Sequence, residues 1–206
     1  TMHNPLQDSI TPNGRSTGIA LLALLALSML ATRYHHFSSA LHLADTSWAA
    51  FFLAGLWFRR AAVLGGLLAL AVLIDLGSVV IDGAAMASCF SPAYPGVLLA
   101  YAALWGGGRL AGRALDGGVT SSRLVGGLLV GASLLVSVVV AFVISNGTFY
   151  ALSGQFGEMS AGEYAGRTMG YLAGYLTSAV TYTLVGVVGL AAFNLIREGR
   201  GAQRRA

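Results

Sequence analysis

Charge is scarce in this chain. Only 10% of its 206 residues are charged, and all 12 lysine-or-arginine positions are arginine. Globular chains carry about 25% charged residues, so this composition does not fit a soluble domain. Cysteine is nearly absent as well. Cys89 stands alone, which excludes an intrachain disulfide and every motif built on a cysteine pair. No Walker A, HExxH or CxxC pattern occurs, so the chain cannot hydrolyse ATP by itself and carries no standard zinc signature. Long repeats, low-complexity segments and a second soluble domain are also missing.

Apolar residues fill the space. They make up 56% of the chain, with a mean hydropathy of +0.72. Runs at 18–32, 61–81, 123–145 and 168–195 approach or exceed the ~20 residues that cross a bilayer as helix. Shorter runs at 47–58 and 92–107 carry tryptophan or arginine at their ends, residues that anchor or snorkel at the interface. The pattern predicts an all-α integral membrane protein of six transmembrane helices, with both termini cytoplasmic. Residues 1–16 are expected to form a disordered cytoplasmic tail, 17–196 the membrane domain and 197–206 a basic cytoplasmic tail. No secretory signal pattern precedes the first run. Gly127-Leu-Leu-Val-Gly131 and Gly170-Tyr-Leu-Ala-Gly174 are expected to pack helices tightly, because small residues four apart let backbones approach in lipid.

Arginine placement predicts the orientation. With six spans, Arg15, Arg59, Arg60, Arg109, Arg113, Arg123, Arg197, Arg200, Arg204 and Arg205 fall on the inner side, and only Arg33 and Arg167 fall outside. The formal charge of +4 is thus distributed by topology rather than gathered in a nucleic-acid-binding patch. This orientation collects the unusual polar residues outside: Arg33-Tyr34-His35-His36 and His42 in one loop, Asp82 and Cys89 in the next, and Asn146 to Arg167 in the third. Such a chain reads as a receptor for something arriving from outside.

Within the spans, Asp75 is the costliest residue. It lies 15 positions beyond Arg60, about 22 Å at 1.5 Å per residue, in the outer part of a core roughly 30 Å thick. An intramembrane carboxylate marks a binding site or pathway, or pairs with Arg33 or Arg167 only to hold helices together. Cys89 is either an inert small apolar side chain or a soft ligand and nucleophile. Pro92 and Pro95 fix the chain's re-entry into the membrane and hold Cys89 and Tyr94 at the rim, a setting suited to a soft or borderline metal centre. His35 and His36 are adjacent, so they are not a metal pair by helical spacing. Tyr34, Trp48, Trp57 and Trp105 are most simply interfacial anchors.

The segments Thr32-Arg-Tyr-His-His36-Phe-Ser-Ser-Ala-Leu-His42, Ile74-Asp75 and Cys89-Phe-Ser-Pro92-Ala-Tyr94 resemble the BtuM family. Its members are small six-helix proteins of proteobacteria related to the S-components of energy-coupling-factor transporters. The resemblance implies an S-component-like bundle in the bacterial inner membrane that binds cobalamin in a base-off form from the periplasmic side. It also implies that Cys89 gives the cobalt its axial thiolate. His36, Asp75, Tyr94 and Arg167 fall on the family's substrate-binding positions, with His35, Tyr34 and Phe90 beside them. Loss of cyanide from cyanocobalamin is an accompanying reaction that it suggests. An energising ATPase module is the candidate partner. The docking pattern AxxxA common in S-components is absent from the first helix, where alanines stand at 20, 23 and 26. A haem- or metal-binding membrane enzyme or cytochrome-like subunit using His35, His36 and Cys89 is the alternative, and a purely structural subunit is a third.

Overall fold

The computed structural model describes residues 5–33, 44–82, 90–117 and 122–203. Every regular element among them is helical: α1 (Pro5–Ile10), α2 (Arg15–Arg33), α3 (Ser47–Trp57), α4 (Ala61–Asp82), α5 (Tyr94–Asp116), α6 (Arg123–Leu152) and α7 (Ala161–Gln203). The apolar runs read from the sequence each fall on one of the six longer helices. Local chemistry sets several boundaries. Pro95 sits in the first turn of α5, where a missing N–H costs nothing. The Ser122 hydroxyl accepts from the Val125 N–H and starts α6. Phe58 adopts an extended backbone that ends α3.

The chain is a helical protein of membrane type. Four helices, α2, α4, α6 and α7, are long and apolar enough to cross a bilayer. Their outer faces carry exposed side chains such as Leu24, Leu73, Val136 and Val185, a surface suited to lipid rather than water. The two shorter runs behave differently. At 11 residues, α3 is about 16 Å long, roughly half the hydrocarbon thickness. All 11 of its residues are buried, so it is the packing centre of the molecule. The apolar character of α5 is diluted by Gly106, Gly107, Gly108, Arg109 and Arg113.

Gly108, with Gly112 one turn on, is what α3 packs against, while Gly107 faces Ser137 of α6. A Cβ at Gly108 would overlap the carbonyl of Phe52, and one at Gly55 would overlap the carbonyl of Trp105. The two backbones are therefore in direct contact, as small residues permit. Gly127, Gly131, Gly170 and Gly174 were the expected packing glycines. A Cβ at any of the four would meet nothing within 4 Å, so that expectation fails inside this chain. The small-residue signal was real but lay in another four-residue pair, Gly108 and Gly112 of α5, both set against the backbone of α3.

Pairwise contacts fix the direction of each helix. Thr32 meets Thr46 and Gly18 lies beside Phe58, so α2 and α3 are antiparallel. The Phe51 ring stacks on Tyr101 at 4.4 Å and Arg59 pairs with Asp116, so α3 and α5 are parallel. Ser133 bonds the Gly107 carbonyl at 2.8 Å, and Gly96 lies against Thr148, which turns α6 back against α5. Ser178 bonds the Asp45 carbonyl at 3.0 Å and Gly186 lies by Leu53, so α7 runs with α3. One end of the bundle thus gathers Arg33, Asp45, Asp75 and Tyr94, and the other Arg15, Arg59, Asp116 and Arg197.

The N-terminal segment differs from expectation too. Instead of a disordered tail, residues 5–10 form α1, with Ile10 buried. The Asn194 amide donates to the carbonyls of Ser9 and Thr11 at 2.9 and 3.2 Å, tying this segment to α7. The last helix has 43 residues, about 65 Å of helix and twice a bilayer core.

A candidate ligand site at one end of the bundle

The last residue of α2 reaches across to the middle of α4. Arg33 donates from Nε to Asp75 Oδ1 at 2.7 Å and from Nη2 to Asp75 Oδ2 at 2.6 Å. This is the bidentate fork that guanidinium and carboxylate form best. The Tyr94 hydroxyl, at the start of α5, donates to Asp75 Oδ2 at 2.7 Å. Two turns further along α5, the Tyr101 hydroxyl accepts from Arg33 Nη1. The Tyr101 ring is pinned from behind by Phe51 at an interplanar angle of 4°. Three helices therefore converge on one ion pair whose side chains are 13% and 16% exposed.

Asp45, just before α3, closes the cluster. Its Oδ1 accepts from the Ser47 N–H and hydroxyl at 2.8 and 2.6 Å, while Oδ2 lies 3.4 Å from Arg33 Nη1. The Thr46 N–H donates to the Thr32 hydroxyl at 3.0 Å. The ends of α2 and α3 are thus held together where the intervening segment leaves and returns.

Of the expected site residues, the structure brings Asp75 and Tyr94 into direct contact, with Phe90 next to them. The Phe90 and Tyr94 rings lie 4.7 Å apart. Arg167 stands elsewhere. Its guanidinium is exposed and bonds Glu163 at 2.8 Å. It lies 11 residues before Ser178 on α7, about 16 Å along the axis from the level of Asp45. Tyr34, His35, His36 and Cys89 lie outside the described residues. Arg33 was foreseen only as a structural counter-ion for Asp75, and Tyr101 and Asp45 were missed. One signal was legible: Tyr94 and Tyr101 are seven apart on a helix, which puts them on one face.

Chemically, the cluster presents hydrogen-bonding groups in an apolar wall. Because Tyr94 spends its proton on Asp75, its oxygen lone pairs are left to accept from a ligand N–H. Arg33 and Asp75 hold each other fixed through their paired hydrogen bonds. No family model and no curated protein matches this chain.

Proposed function

We propose that this protein binds cobalamin and takes it up across the bacterial inner membrane. Six spans, cytoplasmic termini and a binding site facing the periplasm complete the reading. The observation that carries it is the Arg33–Asp75–Tyr94 cluster. A carboxylate, a phenol and a guanidinium are locked together at the end of the bundle from which the segments bearing His36 and Cys89 depart. Corrin edges carry amides, which suit groups of this kind in a mostly apolar pocket. The concentration of arginines at the opposite end supports the orientation.

In this reading Cys89, joined to Phe90 of the cluster, offers its thiolate to cobalt on the base-off face. Thiolate is a strong donor to soft and borderline metals. Sulfur gives its electron pair to cobalt as cyanide leaves with its own pair. The oxidation state is unchanged, and decyanation needs only loss of the thiol proton. Tyr94 and Asp75 hold the corrin edge, with Phe90 against its apolar surface, and the family resemblance adds Tyr34, His35 and His36 as further substrate-binding residues. Arg167, exposed beyond the cluster, meets the outermost part of the ligand. An energising ATPase module remains the candidate partner, since the chain carries no nucleotide-binding loop of its own.

The test is a cobalamin titration of the purified protein with a Tyr94→Phe variant beside it. Removing one hydrogen-bonding group costs about 0.5–1.5 kcal/mol, so Tyr94→Phe weakens binding roughly two- to tenfold with the fold intact. Absence of a corrin spectrum after growth on cobalamin, or a haem Soret band instead, rejects the proposal.

A further inference from the structure

A cavity of about 300 Å³ lies between the start of α3 and α7 and is lined by Asp45, Trp48, Tyr171, Gly174, Tyr175 and Ser178. Its walls are aromatic. The Trp48 and Tyr175 rings lie one against the other, 4.4 Å apart at 33°, and Tyr171, one turn away on α7, adds a largely exposed ring. Gly174 keeps the space open, since a Cβ there would meet nothing within 4 Å.

Among the described residues, the formal charge at its edge is unbalanced. Arg33 is the cation that, among the described residues, faces both Asp45 and Asp75, and its fork is committed to Asp75. Asp45 Oδ2 lies 3.4 Å from the Nη1 of that guanidinium, longer than a normal hydrogen bond. The three side chains sum to one negative charge. A hard inorganic cation wants six or more oxygen ligands, whereas this cavity is lined mainly by aromatic side chains, with one carboxylate and the hydroxyls of Ser178 and two tyrosines. Ring faces attract a cation within about 6 Å of the centroid, most usefully one with an apolar skin.

We propose that this cavity binds an alkylammonium cation, with Trp48, Tyr171 and Tyr175 facing its methyl groups and Asp45 neutralising it. The inference does not rest on the cobalamin reading. Such a group is carried by a free quaternary ammonium ion such as choline and by a choline lipid headgroup, and the cavity recognises what the two share.

The experiment titrates the full chain, in lipid-free detergent and without cobalamin, with choline and with its uncharged isostere, in which carbon replaces the nitrogen. Tryptophan fluorescence and calorimetry report binding. Choline is expected to bind saturably and about tenfold or more tighter than the isostere. Gly174→Leu fills open space and leaves the core intact, and Asp45→Asn keeps an oxygen for the Ser47 cap. Each is expected to weaken choline binding about tenfold or more. Weaker choline binding in phosphatidylcholine nanodiscs than in phosphatidylglycerol ones identifies the lipid headgroup as occupant, and equal binding identifies a soluble quaternary ammonium ion. Equal affinity for choline and the isostere, or folded Gly174→Leu binding choline as the native protein does, overturns the proposal.

Discussion

Arg33 grips Asp75 with two parallel hydrogen bonds, Nε to Oδ1 at 2.7 Å and Nη2 to Oδ2 at 2.6 Å, and so joins the end of α2 to the body of α4. Removing one partner of such a pair leaves a buried charge uncompensated, at a cost of about 3–5 kcal/mol, whereas replacing both with apolar groups is often neutral. Arg33→Met is therefore expected to lower the melting temperature sharply, and Arg33→Met with Asp75→Leu to recover most of the loss. A double variant as unstable as the sum of the singles would show that the two residues act independently.

The contact between α3 and α5 has no room for a methyl group. Gly55→Ala and Gly108→Ala each force a Cβ into a carbonyl of the facing helix, and overpacking costs about 1–3 kcal/mol or more. Gly127→Ala and Gly131→Ala, where a Cβ meets nothing, are expected to stay within about 0.5 kcal/mol of the native protein. Thermal melts of the four variants in one detergent check this, and equal melting in all four contradicts the packing described.

Orientation is testable at the lone thiol. With no ligand bound, Cys89 is expected to react with a membrane-impermeant maleimide added from the periplasmic side. Labelling from the cytoplasmic side alone reverses the arginine-based topology and the periplasmic site with it.

The helices were legible because long apolar runs have few alternatives once charge falls to 10%. What the runs could not reveal was rank. The 11 residues of α3 look like the weakest span, yet they are the buried centre, because burial depends on which faces the neighbours leave open. The spaced glycine pairs misled for the same reason. Four-residue spacing marks a surface able to pack, not whether a partner lies against it. In the site, Asp75 stood out through the cost of a carboxylate in an apolar run. Asp45 and Tyr101 carry no such mark. One sits in a polar connection and the other in an aromatic-rich segment, and only the convergence of α2, α3 and α5 gives them a role.

Coordination of cobalt by the Cys89 thiolate is the central claim, and the absorption spectrum of bound cobalamin tests it most directly. Native protein and Cys89→Ala are saturated with cobalamin, and their corrin bands are compared, with circular dichroism confirming that both are folded. The thiolate account predicts a shifted corrin spectrum in the native protein that Cys89→Ala loses. Identical spectra from the two folded proteins would contradict it.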